Sequence, residues 1–354
     1  RNFLILAFCF RLGAASSLLP KGPSRSQLRP TNRARQPMEK PKCLAIGAAA
    51  FGAGLLSSFA IKRLFKYKPP KVWKFTPQGG KFGHLNKPTA GPQQEMKLPK
   101  GEHDLQLYSL ATPNGVKANI MLEELCDKYG IEYDAYTINI GEGDQFGSGF
   151  VGVNPNSKIP ALVDYSDEKK PIRVFESGSI LVYLADKFDE DGAFLPKDPA
   201  KRTEVLNWVF WQVGSAPYLG GGFGHFYNYA PIKIKYAIDR FSMETKRQMD
   251  VLERALAGKD GSPGGPYLCG KQYTIADMMI WPWYGVLAQG KLYGDAKNFL
   301  ELEKYPNVQA WAKLISAREA VMRGRKVTRV WGEDWEQMKE RHSKADFDKL
   351  PSKP

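Results

Sequence analysis

Hydrophobic and polar positions repeat with two different periods along this chain, and the switch between them divides it. Leu105-Gln-Leu-Tyr-Ser-Leu110 has the short apolar character of a strand, whereas the run from Lys117 to Lys128 carries apolar residues at helical spacing. A brief apolar strand, Ala161-Leu-Val163, follows Ile159-Pro160. Ile172-Arg-Val-Phe175 then leads into an amphipathic helix with Ile180, Leu181, Leu184 and Phe188 on one face. Residues 101–189 therefore read as strand, helix, strand, loop, two short strands and helix, the order of an α/β thioredoxin-like domain. The Asp- and Pro-rich stretch from Asp189 to Pro199 serves as a linker. Helical patterns then dominate to about Ala320, which predicts an all-α domain over 200–330 and a C-terminal tail over 331–354.

Upstream of this body the pattern changes again. Residues 1–42 read as a basic leader or targeting segment, and residues 1–37 hold seven basic residues and no acid. Cys43 to Ile61 is a stretch of 19 residues without a charge, about 28 Å long as a helix and so near the thickness of a bilayer core. We expect a single transmembrane helix over 43–61. A cleaved signal ending at Ser58-Phe59-Ala60 is the rival reading, and Met38 is a second candidate start. The heavier positive charge after the span, from Lys62, Arg63, Lys66 and Lys68, favours a body on the cytosolic, matrix or stromal side of an organelle membrane. Residues 62–100, rich in Lys, Pro and Gly, form a linker and N-terminal arm.

Charge changes the picture less than the total suggests. The chain is formally +14, yet residues 1–75 hold 15 of its 51 basic residues and only one of its 37 acids, Glu39, so the body is neutral. A neutral body with no recognition motif argues against nucleic-acid binding. The four cysteines, Cys9, Cys43, Cys126 and Cys269, show neither C-x-x-C nor zinc spacing, which points to a reducing compartment and no metal site.

The candidate chemistry sits at the junctions between elements. Thr112-Pro-Asn-Gly115 occupies a strand-to-helix turn where the first helical amides attract an anion. With no cysteine at that turn, Thr112 and Asn114 are placed to donate to the sulfur of a bound thiol. Ile159-Pro160, if its peptide bond is cis, exposes backbone that can pair with an extended peptide ligand. Glu176-Ser177 begins a second helix whose N-terminus suits a carboxylate. In the helical half, Thr274-Ile-Ala-Asp277 is a capping box with a structural role. Gly220-Gly-Gly-Phe-Gly-His-Phe226 lacks the ending of a phosphate loop and is expected as a flexible lip to the cleft. Phe226, Tyr227 and Tyr229 either line an apolar pocket or pack the core.

Taken together, Leu105 to Gly115, Gly143-Asp-Gln-Phe146, Asn154 to Leu162, Val174 to Ile180, Gly220 to Phe226 and Tyr273 to Asp277 resemble the cytosolic-type glutathione transferases. The likeness is to the nu class, which contains bacterial disulfide-bond reductases, and it covers roughly residues 71 to 349. It implies an α/β thioredoxin-like domain followed by an all-α glutathione-transferase domain, usually as a homodimer, with glutathione as co-substrate. It further implies two glutathione molecules, or one oxidised glutathione, in each subunit, with Thr112 and Asn114 facing the sulfurs. Ile159, before Pro160, would pair with the cysteinyl unit, while Glu176 and Ser177 hold the γ-glutamyl end. Lys158 and Gln145 are implied for glycyl and other polar contacts, and Asn86 for a contact from the arm. Arg240 is implied for a carboxylate contact from the helical domain, or else it forms a surface salt bridge. Glutathione-dependent disulfide reduction is the expected activity. Conjugation to electrophiles and a non-catalytic role in a membrane-anchored assembly are the alternatives.

Overall fold

The computed structural model describes residues 67–77, 79–80 and 82–353. The leader and the transmembrane helix expected over 43–61 lie outside these residues. Among the described residues no helix is long and apolar enough to cross a membrane. Tyr67–Trp73 belong to one compact unit, where their side chains are exposed, and the body from Lys74 onward forms another.

The body begins with β1 (Leu105–Ser109), α1 (Pro113–Tyr129) and β2 (Asp134–Thr137). A loop carrying the short helix α2 (Ser148–Val153) leads to β3 (Ala161–Asp164), β4 (Ile172–Phe175) and α3 (Ser177–Phe188). β1 pairs in parallel with β2 and antiparallel with β3, in the register Leu107↔Ala135 and Leu107↔Leu162. The period of two then sorts the sheet's faces. Leu105, Leu107, Ala135 and Leu162 join the main core shared with the helices, whereas Tyr108, Tyr136, Ala161 and Val163 join a smaller core with Phe150 of α2. This is the expected order of elements for residues 105 to 189.

The helical half comprises α4 (Pro199–Pro217), a π-helical segment (Tyr218–Tyr229), α5 (Lys235–Leu256), α6 (Ile275–Ala288), α7 (Ala296–Phe299), α8 (Pro306–Ser316) and α9 (Glu319–Gly324). The most deeply buried of these is α6, and the capping box at its start is formed. Asp277 is fully buried and accepts from the Thr274 and Leu268 amides, the Thr274 hydroxyl and the Trp311 indole, so it binds three segments together. Burial pushes its carboxyl up to about 6, although those four donors favour the ionised form.

Two features differ from the sequence reading. The glycine-rich run is a packed π-helical segment instead of a flexible lip. A Cβ at Gly220 would lie 2.6 Å from the Trp283 ring and one at Gly222 would lie 2.3 Å from Phe241, so these glycines allow aromatic rings to approach the backbone. Phe226 stacks on Phe241, Tyr227 on Phe223, and Tyr229 meets Phe82 of the arm edge-on, which is the packing use of these aromatics. The C-terminal tail also contributes a strand, β5 (Glu340–Arg341), to a sheet ordered β4-β3-β1-β2-β5. Arg341 is fully buried there, donating to the Tyr133 carbonyl at 2.8 Å and to Glu123 at 3.2 Å. Bidentate pairing of Arg318 with Glu124, together with Arg323 bonded to Glu123 through Nε and paired with Asp127 through Nη2, anchors α1 to the C-terminal helices.

Candidate active site

The turn after β1 is built by local rules. Thr112 is the N-cap of α1 and its hydroxyl oxygen accepts from the Gly115 amide at 3.4 Å, while Val116 donates to the Thr112 carbonyl. Pro113 has no N–H, so Asn114 carries the first-turn amide left without an intrahelical acceptor. Gly115 is required because a Cβ there would lie 1.9 Å from the Leu110 carbonyl oxygen. The Asn114 side chain is oriented from across the molecule, since Trp283 of α6 donates its indole N–H to Asn114 Oδ1 at 2.9 Å. An indole nitrogen only donates, which fixes the oxygen and leaves the amide protons of Asn114 for the cleft it lines.

That cleft has a volume of about 280 Å³. Its lining includes Thr112 and Asn114 of the first turn, Gln145, Lys158, Ile159 and Pro160 of the loop before β3, and Glu176 and Ser177 at the start of α3. The Ile159–Pro160 bond is cis. Asn154 shapes the approach to it, donating to the Lys158 carbonyl and accepting from the Asn156 amide. Gln145 is buried, and its side-chain oxygen has no hydrogen-bond partner among the described residues, so the wall of the cleft offers an acceptor to a ligand N–H.

Also lining the cleft, Glu176 sits at φ +69, a left-handed conformation uncommon for its residue type, and makes no side-chain cap bond. The first-turn amides of α3 therefore face the cleft without a capping side chain. Beneath them is a lysine that the sequence reading passed over. Lys117 is 1 % exposed and donates to Ser177 Oγ at 3.3 Å and to Gln212 Oε1 of α4 at 2.9 Å. Burial drives its pKa well below the ordinary lysine value, and the nearby charge of Glu176 opposes that drop.

Of the residues expected at the site, Thr112, Asn114, Gln145, Lys158, Ile159, Pro160, Glu176 and Ser177 line one cleft. Asn86 stands at its rim, where it accepts from the Lys158 ammonium, next to Leu85 of the arm, which lines the cleft. Arg240 is not brought there. It is exposed on α5, one turn from Glu244, whose carboxyl it helps to hold below the usual range after the stronger bond from Arg247. Lys117, Gln212 and Trp283 are the residues that sequence reasoning missed. A lysine following Gly115 within a buried helix face was the one available signal.

The order of the elements, the donors in place of a cysteine at the β1–α1 turn and the cis proline before β3 define a class. The glutathione S-transferase N-terminal domain family matches residues 113–187 and the C-terminal domain family matches residues 235–313, and the chain belongs to the glutathione S-transferase family. It is 57% identical over 285 residues to the disulfide-bond oxidoreductase YghU of Escherichia coli, a match covering 80% of this chain and 95% of that protein. Glutathione transferase YghU from Streptococcus pneumoniae, solved in complex with glutathione, is 55% identical with a TM-score of 0.70, covering 75% of this chain and 98% of that one. A family member from Pseudomonas fluorescens with two glutathione bound is 35% identical with a TM-score of 0.56, covering 63% and 92%.

Proposed function

We propose that this protein is a glutathione-dependent disulfide-bond reductase of the nu-class type, in which the reacting sulfurs all belong to bound thiols and disulfides. The observation that carries this reading is the β1–α1 turn, where neutral donors converge on the cleft and no cysteine is present. The two described cysteines are unsuited to the task. Cys126 is buried, with its thiol pKa raised by burial, and it accepts from Arg341 at 3.4 Å; burial pushes Cys269 up to about 12. Glutathione is consumed as a substrate in this scheme. Its γ-glutamyl α-carboxylate, cysteinyl backbone and thiol match, respectively, the α3 N-terminus, the backbone of Ile159 and the Thr112–Asn114 turn.

The reaction balances without any protein sulfur. The Thr112 hydroxyl, the Asn114 side-chain amide and the unpaired Asn114 N–H stabilise a thiolate, lowering the pKa of the bound thiol. That thiolate attacks one sulfur of a substrate disulfide, forming a mixed disulfide and expelling the other sulfur as a thiolate that takes up a proton. A second glutathione thiolate attacks the glutathione sulfur of the mixed disulfide and releases the remaining substrate thiol. Two glutathione molecules are oxidised to one glutathione disulfide, and the substrate is reduced by two electrons. The similarity to a relative solved with two glutathione bound supports a site of this capacity.

Two further readings accompany this one. Phe210, Val213, Tyr218, Tyr236 and Met243 are exposed on the α4–α5 side, and this apolar surface supports a homodimer. The uncharged stretch 43–61 and its basic flanks support membrane attachment at an organelle. The test of the function is glutathione-dependent reduction of a small disulfide, comparing wild type with Asn114→Ala. We expect turnover by the wild type and a loss of about 10²-fold in the variant, as for other donors to a developing anion.

A further inference from the structure

Lys117 has no place in the chemistry above, yet among the described residues it is one of the largest fully buried side chains, and the one lysine among these. A buried ammonium is expected to have a carboxylate beside it. Lys117 has none within 4.0 Å among the described residues, and its two hydrogen-bond partners are neutral. The groups that face it are the Ser177 hydroxyl and the Glu176 carboxylate at the start of α3, and the Gln212 amide on α4. Glu176 itself is exposed and turned toward Asn156, 3.4 Å away. The amine is therefore held in the body without a full counter-charge beside it.

Its position shows where that counter-charge comes from. Ser177 accepts from Lys117 and also lines the cleft, so a single hydroxyl separates the ammonium from the ligand. By accepting from Lys117, Ser177 keeps its own proton for a group in the cleft. The first-turn amides of α3 aim at the same spot and favour an anion. We infer that Lys117 is a positioning residue for glutathione: held by Gln212 of the helical domain and acting through Ser177, it supplies the buried positive charge that the α-carboxylate of the γ-glutamyl unit neutralises on binding. The inference rests on the proposed function, because it deepens the recognition of the same substrate. It also explains why the ammonium carries no carboxylate partner of its own: a protein carboxylate there would compete with the ligand's.

The test is a calorimetric titration of the full chain with two ligands, glutathione and the analogue 4-aminobutyryl-Cys-Gly, which lacks only the α-carboxylate. Lys117→Met should lose at least about tenfold in affinity for glutathione, the scale of removing one partner of a buried charge pair, and change little toward the analogue. The free variant should melt no lower than wild type, since an incompletely paired buried charge has been replaced by an apolar chain of similar length. Equal losses toward both ligands, or a drop in free-protein melting that accounts for the lost affinity, would show a structural lysine and overturn the inference. Lys117→Gln is the second variant: it can still donate to Ser177 but carries no charge, and it should show the same selective loss. Unaltered glutathione binding by both variants, with normal binding by wild type, overturns this inference alone. Absence of glutathione binding by wild type overturns the proposed function and this inference together.

Discussion

The two helix N-termini that line the cleft, those of α1 and α3, solve the same problem, stabilising a ligand anion, by opposite means. At the sulfur end every contributing group is neutral: a hydroxyl, a side-chain amide and a helix amide, with the Asn114 side chain oriented by the Trp283 indole at 2.9 Å. At the γ-glutamyl site a lysine amine is buried behind Ser177, and by the inference above it carries the charge that meets the ligand carboxylate. The contrast follows from what each end must do. A thiolate has to be stabilised and yet remain nucleophilic, and nucleophilicity falls as the thiol pKa falls, so moderate neutral donors suit it. A carboxylate only has to be held, and there a charge provides both affinity and discrimination. In both cases the helical domain supplies the residue that fixes the thioredoxin-like half, Trp283 from α6 and Gln212 from α4.

This comparison can be broken or sharpened by substitution. The largest effect is expected from Asn114→Ala, which removes a donor at the sulfur end and should raise the pKa of the bound thiol, read by its ultraviolet thiolate absorbance, with the roughly 10²-fold loss in turnover. Trp283→Phe retains an aromatic ring but frees the Asn114 amide to rotate. A loss of about fivefold to tenfold in kcat/KM is expected, the equivalent of one neutral hydrogen bond, with glutathione affinity nearly unchanged. A fall in affinity without a fall in kcat would mean that Trp283 serves the γ-glutamyl end as well. Asp277→Ala is the control for effects that travel through the fold. It leaves four donors unpaired at the start of the helix that carries Trp283 and should lower stability by about 2–3 kcal/mol in a denaturant titration. The thiol pKa of the folded, loaded variant should stay where the wild type has it.

How much of this was legible in the sequence depended on the range of the interactions. Thr112, Asn114, Pro160, Glu176 and Ser177 could be picked out because each sits at a junction where turn chemistry and helix-end chemistry act within a few residues. The capping box of α6 was legible for the same reason. Lys117, Gln212 and Trp283 were not, because their defining contacts cross 60, 95 and 169 positions of chain and nothing local marks them. A lysine near the start of a helix reads as solvated until the fold buries it. The strand β5 was missed because two residues carry no period, and because Arg341 has the residue type of a surface position. The glycine-rich run misled in the other direction: glycines usually signal freedom, yet here they admit the rings of Trp283 and Phe241. Arg240 was taken from resemblance alone; it is exposed on α5 and is not among the residues that line the cleft.

The central claim is that the reacting sulfurs belong to the ligands and never to the chain. Its most direct test replaces Cys9, Cys43, Cys126 and Cys269 together with alanine in the 354-residue chain and measures glutathione-dependent disulfide reduction at matched folded concentration. The account predicts that the cysteine-free protein keeps most of the wild-type rate and yields one glutathione disulfide per substrate disulfide reduced. Loss of turnover in a folded variant that still binds glutathione would contradict it and place a protein thiol in the reaction.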